Sequence, residues 1–316
     1  MLVYLAAALV LLLLALGYVL VQKTVTGRRY TPESLAAQLS RPSYLEIREQ
    51  ALASSDWVQA HGPEELFVMS YDGKLLHATF LQNPRSRGTM LLFHGYRSCW
   101  QIDFGLVLPY YYDTLGYSLL LVDQRAHGQS EGKYLTFGVR ERMDVISWAT
   151  YMGQKLGQSE PLILGGLSMG ATTVLMASCF EFPANVRAII ADCGFTSPYE
   201  IAKSVLHRDY PKAPLRLLLP VCGFFTRLFA GFGLKDASTL DALRESRYPV
   251  FFLHGTGDTF VPCEMTKQAY DACASEKTLL LIEGADHGKS YVKEPARVQQ
   301  ALRQFLAAYN EKEEAQ

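Results

Sequence analysis

The spacing of apolar runs predicts a doubly wound α/β fold: a mostly parallel sheet, covered by helices on both faces, with an antiparallel start. Six short runs (Thr89 to Phe93, Ser118 to Val122, Leu162 to Leu164, Ala188 to Ala191, Val250 to Leu253 and Thr278 to Ile282) are each followed by a helical stretch. None alternates apolar with polar, which marks strands buried on both sides. Ahead of them, LFVMSYDGKLLHATFL, from Leu66, holds two strand-like runs around Asp72-Gly73, a two-residue hairpin signal. In such sheets ligands bind at the carboxyl ends of the strands, so the residues just after each run are where chemistry is expected.

Taken in order, the chain begins with 21 residues that carry no charge, MLVYLAAALVLLLLALGYVLV. As a helix they rise roughly 31 Å, the thickness of a bilayer's hydrocarbon core, and the reading is a transmembrane or signal-anchor segment over 1–22. A cleaved signal peptide would need a basic start and a shorter apolar core. Lys23, Arg28 and Arg29 follow with no acid before Glu33, and the positive-inside rule holds such residues in the cytoplasm. The expected arrangement is a single-pass membrane protein with its main domain facing the cytoplasm. Thr31-Pro32-Glu33 reads as an N-cap with Pro at the first helical position; with a second amphipathic segment from Ser43 to about Ala60 it forms a helical spacer over 23–62. The main domain then occupies 63–310, and 311–316 is expected to fray.

Composition excludes some functions. With 30 Lys plus Arg against 31 Asp plus Glu, there is no basic excess for neutralising nucleic-acid phosphates. The six cysteines contain no CxxC pair and read as free thiols. No His/Cys cluster has metal-ligand spacing, and neither a metal nor a cofactor is expected.

The regular spacing breaks between Ala191 and Val250, too long a stretch for one crossover, which predicts an inserted cap over about 195–245. A second membrane span there is countered by Pro214, Pro220, Gly223, Arg216 and Arg227. Leu217, Val221, Phe224, Leu228 and Phe232 fall at helical spacing, as in an amphipathic lid helix facing a pocket or a membrane surface.

Chemistry concentrates at Gly166-Leu167-Ser168-Met169-Gly170, directly after the strand PLILG and before the helical run ATTVLMASCF. A nucleophile on a tight strand-to-helix turn needs small neighbours two positions away on each side. It also sits at a helix N-terminus, where free N–H groups favour developing negative charge. A serine hydroxyl needs a base oriented by a carboxylate, and on this kind of fold both follow it in the chain. His207 lies in the cap and His254 precedes the acid-bearing loop, leaving His287, in GADHGKS after the last strand, as the base. Asp258, on the loop after the penultimate strand, is preferred as the acid over Asp192, while Asp286 should point elsewhere. The backbone N–H groups of Met169 and of Tyr96, in His94-Gly95-Tyr96, are the expected oxyanion donors; the Tyr96 hydroxyl is a further candidate.

From about Leu66 to Tyr309 the chain resembles a serine hydrolase of the α/β-hydrolase superfamily, in the branch of serine aminopeptidase-like and monoacylglycerol-lipase-like enzymes. The landmarks are His94-Gly95-Tyr96, then Asp123 to Ser130, Ser168, Asp258 and His287, in that order. Where the family usually has Gly in the second landmark, this chain has Ala126; the segment is structural in the family. The resemblance implies an α/β-hydrolase fold with a helical cap, and acyl transfer from a small-molecule ester, thioester or amide to water. An apolar cap and a membrane tether favour esters with apolar, lipid-like acyl groups. The same triad in an amidase, peptidase or acyltransferase is the alternative, and a non-catalytic membrane-tethered binding protein is the alternative of another class.

Overall fold

The computed structural model describes residues 2–310; the tail expected over 311–316 lies outside them. The N-terminal helices are α1 (Leu2–Val25), α2 (Pro32–Leu39) and α3 (Arg48–Ala60), with a 3-10 turn at Pro42–Ile47. Thr31 caps α2 in a box with Ser34, and Pro32 opens it, as the sequence leads one to expect. The hairpin follows as β1 (Glu64–Met69) and β2 (Leu75–Leu81), then β3 (Thr89–Phe93), α4 (Trp100–Asp103), β4 (Ser118–Asp123), α5 (Glu141–Leu156), β5 (Leu162–Leu167), α6 (Met169–Ala177) and β6 (Val186–Asp192). The cap contributes α7 (Pro198–Asp209) and α8 (Leu215–Phe225), which runs into a π-turn at Thr226–Ala230. The chain closes with α9 (Thr239–Glu245), β7 (Val250–Gly255), α10 (Cys263–Ala272), β8 (Lys277–Ile282), α11 (Ser290–Lys293) and α12 (Pro295–Asn310).

The eight strands form one sheet in the order β1-β2-β4-β3-β5-β6-β7-β8. The pairings β1–β2 and β2–β4 are antiparallel and the remainder are parallel. The strands read as continuous apolar runs because both faces are covered. In β3, Leu91 and Phe93 join a core with Trp148 of α5 and Leu175 of α6, whereas Met90 and Leu92 join the opposite core with Phe251, Leu302 and Phe305. Each such fully buried side chain contributes roughly 1.5–3 kcal/mol relative to exposure.

The N-terminal segment departs from expectation. Among the described residues, no helix is long and apolar enough to cross a membrane, so the spanning helix expected over 1–22 is not found. The last turns of α1 are packed against the protein: Val21 and Val25 are buried with Phe225, Phe232 and Leu234 of the cap, and Gly17 lies so close to Phe225 that a Cβ there would be 2.3 Å from its ring. Nearer its start Tyr4, Leu5, Leu11 and Leu12 are exposed, whereas Leu14 already packs against the same cluster.

Most of the lid stripe lies on the outer side of the cap. Leu217, Val221, Phe224 and Leu228 face outward and are exposed, while Phe232 is buried; Cys222, Thr226 and Leu234 line a pocket together with α7 residues such as Ile201 and Val205. All six cysteines are free thiols.

Candidate active site

The turn after β5 explains its two glycines. A Cβ on Gly166 would lie 2.3 Å from the Gly170 backbone, and one on Gly170 would lie 1.8 Å from the Phe93 carbonyl oxygen. Squeezed between them, Ser168 takes φ +56° and ψ −115°, a backbone state that L residues rarely hold without support from the surrounding structure. The support is visible: Ser168 N–H donates to the Asp192 carbonyl (2.8 Å), and Thr172 N–H donates to the Ser168 carbonyl (3.0 Å).

The structure brings Ser168, His287 and Asp258 into one hydrogen-bonded chain. Ser168 Oγ lies 2.9 Å from His287 Nε2, and His287 Nδ1 lies 2.6 Å from Asp258 Oδ2. With the hydroxyl donating to Nε2 and Nδ1–H donating to the carboxylate, the ring is set to accept the serine proton. Ser168 is 4% exposed, and the Phe260 ring packs 5.1 Å from the imidazole. Burial alone would raise the Asp258 carboxyl. The hydrogen bonds from His254 and His287, with the charge of His287, more than offset that and hold it well below the ordinary carboxylate range. Phe260 and Val261 N–H groups, both 2.8 Å from Oδ1, add to this.

The other candidates fall elsewhere. His207 is on α7. Asp286 points away, accepting from Thr259 N–H and His287 N–H. Asp192 is half-buried, with its Oδ1 shielded from solvent and unpartnered, and desolvation pushes its carboxyl up to about 7. His254 donates from Nε2 to the same Asp258 oxygen at 3.0 Å, with Nδ1 2.6 Å from Thr266 Oγ1. It is thus a second clamp on the acid, a role its place before the acid loop did not disclose.

Met169 opens α6, where its N–H has no carbonyl one turn earlier. Tyr96 follows β3 on the loop facing Ser168, where the Gly95 backbone approaches so closely that a Cβ there would be 3.3 Å from that of Ser168. The Tyr96 hydroxyl is not available to a substrate, since it donates to the Thr24 carbonyl of α1 at 2.6 Å. The loop is braced by a residue without a sequence signal: half-buried Asp103 accepts from Gly95 N–H (2.5 Å) and from Ser98 Oγ (2.7 Å).

The Asp123 to Ser130 segment is structural. Asp123 accepts from Gln129 N–H and holds His77 Nδ1 at 2.8 Å, and Arg125 pairs with Asp144 and Asp72. Ala126 sits at φ +65°, the left-handed region where Gly carries no Cβ strain. Among the described residues, Cys193, Asp258 and His287 place ligating atoms within 4.8 Å of one another. Burial raises the Cys193 thiol far above its ordinary range, and Asp258 and His287 are hydrogen-bonded to each other.

Ser168 stands where two cavities meet. One, of about 370 Å³, is lined mainly by apolar side chains of α1, α7 and the cap, among them Val21, Phe195, Ile201 and Val205. The other, of about 470 Å³, is more polar and includes Arg28, Gln38, Ser43, Asp286 and Lys289.

Comparison with known proteins agrees with this architecture. The sequence profile described as "alpha/beta hydrolase fold" matches residues 88–212. The chain is similar to the Pyrococcus furiosus esterase Pf2001, with TM-score 0.67 and 20% identity over 90% of this chain and 98% of that one. It is 28% identical over 244 residues to the uncharacterized protein YqkD of Bacillus subtilis, covering 77% of this chain and 78% of the relative. It is also 28% identical over 198 residues to the lysophosphatidylserine lipase ABHD12 of Danio rerio, covering 61% of this chain and 49% of the relative. The chain has the α/β-hydrolase fold, with a mostly parallel sheet and an antiparallel N-terminal hairpin.

Proposed function

We propose that this chain is a serine hydrolase that cleaves carboxylic esters carrying apolar acyl groups. The observation that carries the reading is the Ser168–His287–Asp258 hydrogen-bonded chain opening onto an apolar cavity. Ser168 attacks the carbonyl carbon while His287 takes the hydroxyl proton, and Asp258 stabilises the resulting imidazolium. The Met169 and Tyr96 N–H groups receive the oxyanion, each lowering the barrier by roughly 3 kcal/mol. Collapse of the tetrahedral intermediate passes the His287 proton to the leaving alcohol; a water, deprotonated by His287, then releases the acid and restores the serine. The esterase and lipase names of similar proteins support an ester substrate. An aminopeptidase reading would require a free carboxylate to receive a substrate amine in the apolar cavity, and the acid there, Asp209, is paired with Arg208.

A panel of p-nitrophenyl esters, monoacylglycerols and aminoacyl amides tests the proposal. Esters and monoacylglycerols are expected to be turned over with the higher kcat/KM; preference for aminoacyl amides would overturn it.

We further propose that the exposed first part of α1 attaches the protein to a membrane, with the catalytic body on the cytoplasmic side, as Lys23, Arg28 and Arg29 suit the anionic cytoplasmic leaflet. The exposed apolar residues of α1 and its neighbour α8 supply the contact. The full chain is expected to float with phospholipid vesicles in a density gradient, while a chain lacking residues 2–16 stays at the bottom. Equal flotation of the two, or digestion of the C-terminus by protease added to intact cells, would reject the attachment or its direction respectively.

A further inference from the structure

The last two turns of α1 contribute Leu20, Val21, Thr24 and Val25 to the lining of the apolar cavity that ends at Ser168. They are fixed there. Tyr96 Oη donates to the Thr24 carbonyl (2.6 Å), Arg97 donates from Nε to the Thr26 carbonyl (3.0 Å) and from its guanidinium end to the Lys23 carbonyl (2.8 Å). Along the segment around Tyr134, Leu135 N–H donates to the Val25 carbonyl (2.9 Å) and Gln22 Nε2 donates to Tyr134 Oη (2.6 Å). A simple tether would end before the catalytic body, yet this helix is built into it and touches the loop that carries a proposed oxyanion donor.

We propose that α1 is the acyl-selecting wall of the active site: Thr24 and Leu20 set the length of acyl chain that fits the apolar cavity. This rests on the ester-hydrolase reading above. Thr24 is bonded through its carbonyl to the Tyr96 hydroxyl, which places it on the Tyr96 side of the cavity, and Leu20 stands one turn, about 6 Å, further along the helix. Val21 and Val25 are buried and seat the helix. Leu20 is 41% exposed and Thr24 is also exposed, so substitutions there reshape the cavity without opening the core beneath. The graded position predicts a graded effect: bulk at Thr24 excludes medium and long acyl groups, while bulk at Leu20 excludes only long ones.

The test uses the full chain in detergent, with p-nitrophenyl acetate, octanoate and dodecanoate as substrates and an ethyl fluorophosphonate as active-serine label. Thr24→Trp is expected to lower kcat/KM for octanoate and dodecanoate about tenfold or more, with acetate turnover and labelling rate within about threefold of wild type. Leu20→Trp is expected to lower dodecanoate alone, and Leu20→Ala to raise the dodecanoate-to-acetate ratio about threefold. Unchanged ratios in all three variants, with wild-type acetate turnover and labelling intact, would overturn the wall and leave the hydrolase standing. Absence of turnover and labelling in the wild type would overturn both. Should Thr24→Trp lose acetate turnover by unseating α1, Leu20→Ala adds no bulk and decides by the same ratio.

Discussion

Ser168→Ala is expected to abolish ester turnover, by roughly 10⁴-fold or more, and to eliminate labelling by a fluorophosphonate. The size follows from what the substitution removes. Ser168 Oγ is the one atom on the elbow that faces His287 Nε2, at 2.9 Å. Its loss takes away the nucleophile and leaves the base without a proton to accept. The fold should persist, because Gly166 and Gly170 still permit the turn and the backbone bonds of residue 168 to Asp192 and Thr172 do not involve the side chain. Equal thermal unfolding of the two proteins, alongside lost turnover and labelling, is the expected combination. Full turnover by Ser168→Ala with an unlabelled wild type would show that the chemistry lies elsewhere.

Much of this site was legible because a parallel sheet directs its functional loops to one edge. Tyr96, Ser168, Asp258 and His287 each follow an apolar run, so order along the chain was enough to collect them. The strands were legible for a related reason: with a core on each face, β3 and β4 have no position for a polar residue between their first and last. What escaped depends on contacts between segments that share no periodicity. Asp103 supports the oxyanion loop from a four-residue helix, too short to announce which way its side chains point. His254 is a candidate base by its place after a strand, but its bond to Asp258 depends on how the loop after β7 curls back. The α8 stripe was visible as a stripe, yet helical spacing alone does not say which side meets the body: Leu219 and Phe225 turn inward, leaving Leu217, Val221 and Phe224 outside. The uncharged N-terminus suggested a span, and nothing in its composition showed that its last turns pack on the cap.

The choice between Asp258 and Asp192 yields the second large prediction, because the same Asp→Asn change should act on kcat at one position and on stability at the other. Asp258→Asn replaces the ionised partner of His287 by a neutral amide, which no longer stabilises an imidazolium or fixes the tautomer; kcat is expected to fall roughly 10⁴-fold. Asp192→Asn should leave kcat nearly unchanged, since its carboxylate does not bond to His287, and should instead alter stability with pH. Desolvation raises the Asp192 carboxyl from 3.8 to about 7, so the folded state binds its proton more tightly than the unfolded chain does. Its favourable contribution is complete below about pH 4 and is lost as pH rises through about 7. Above that range the folded protein holds an ionised carboxylate whose Oδ1 is shielded from solvent and has no partner, at a cost of at most about 4 kcal/mol. An amide carries no such charge. Asp192→Asn is therefore expected to raise Tm over wild type at pH 8 and to leave it unchanged at pH 4, as read by calorimetry. Loss of activity in Asp192→Asn with activity retained in Asp258→Asn would reverse the assignment. A Tm difference independent of pH would show that the Asp192 carboxyl does not titrate between the two states.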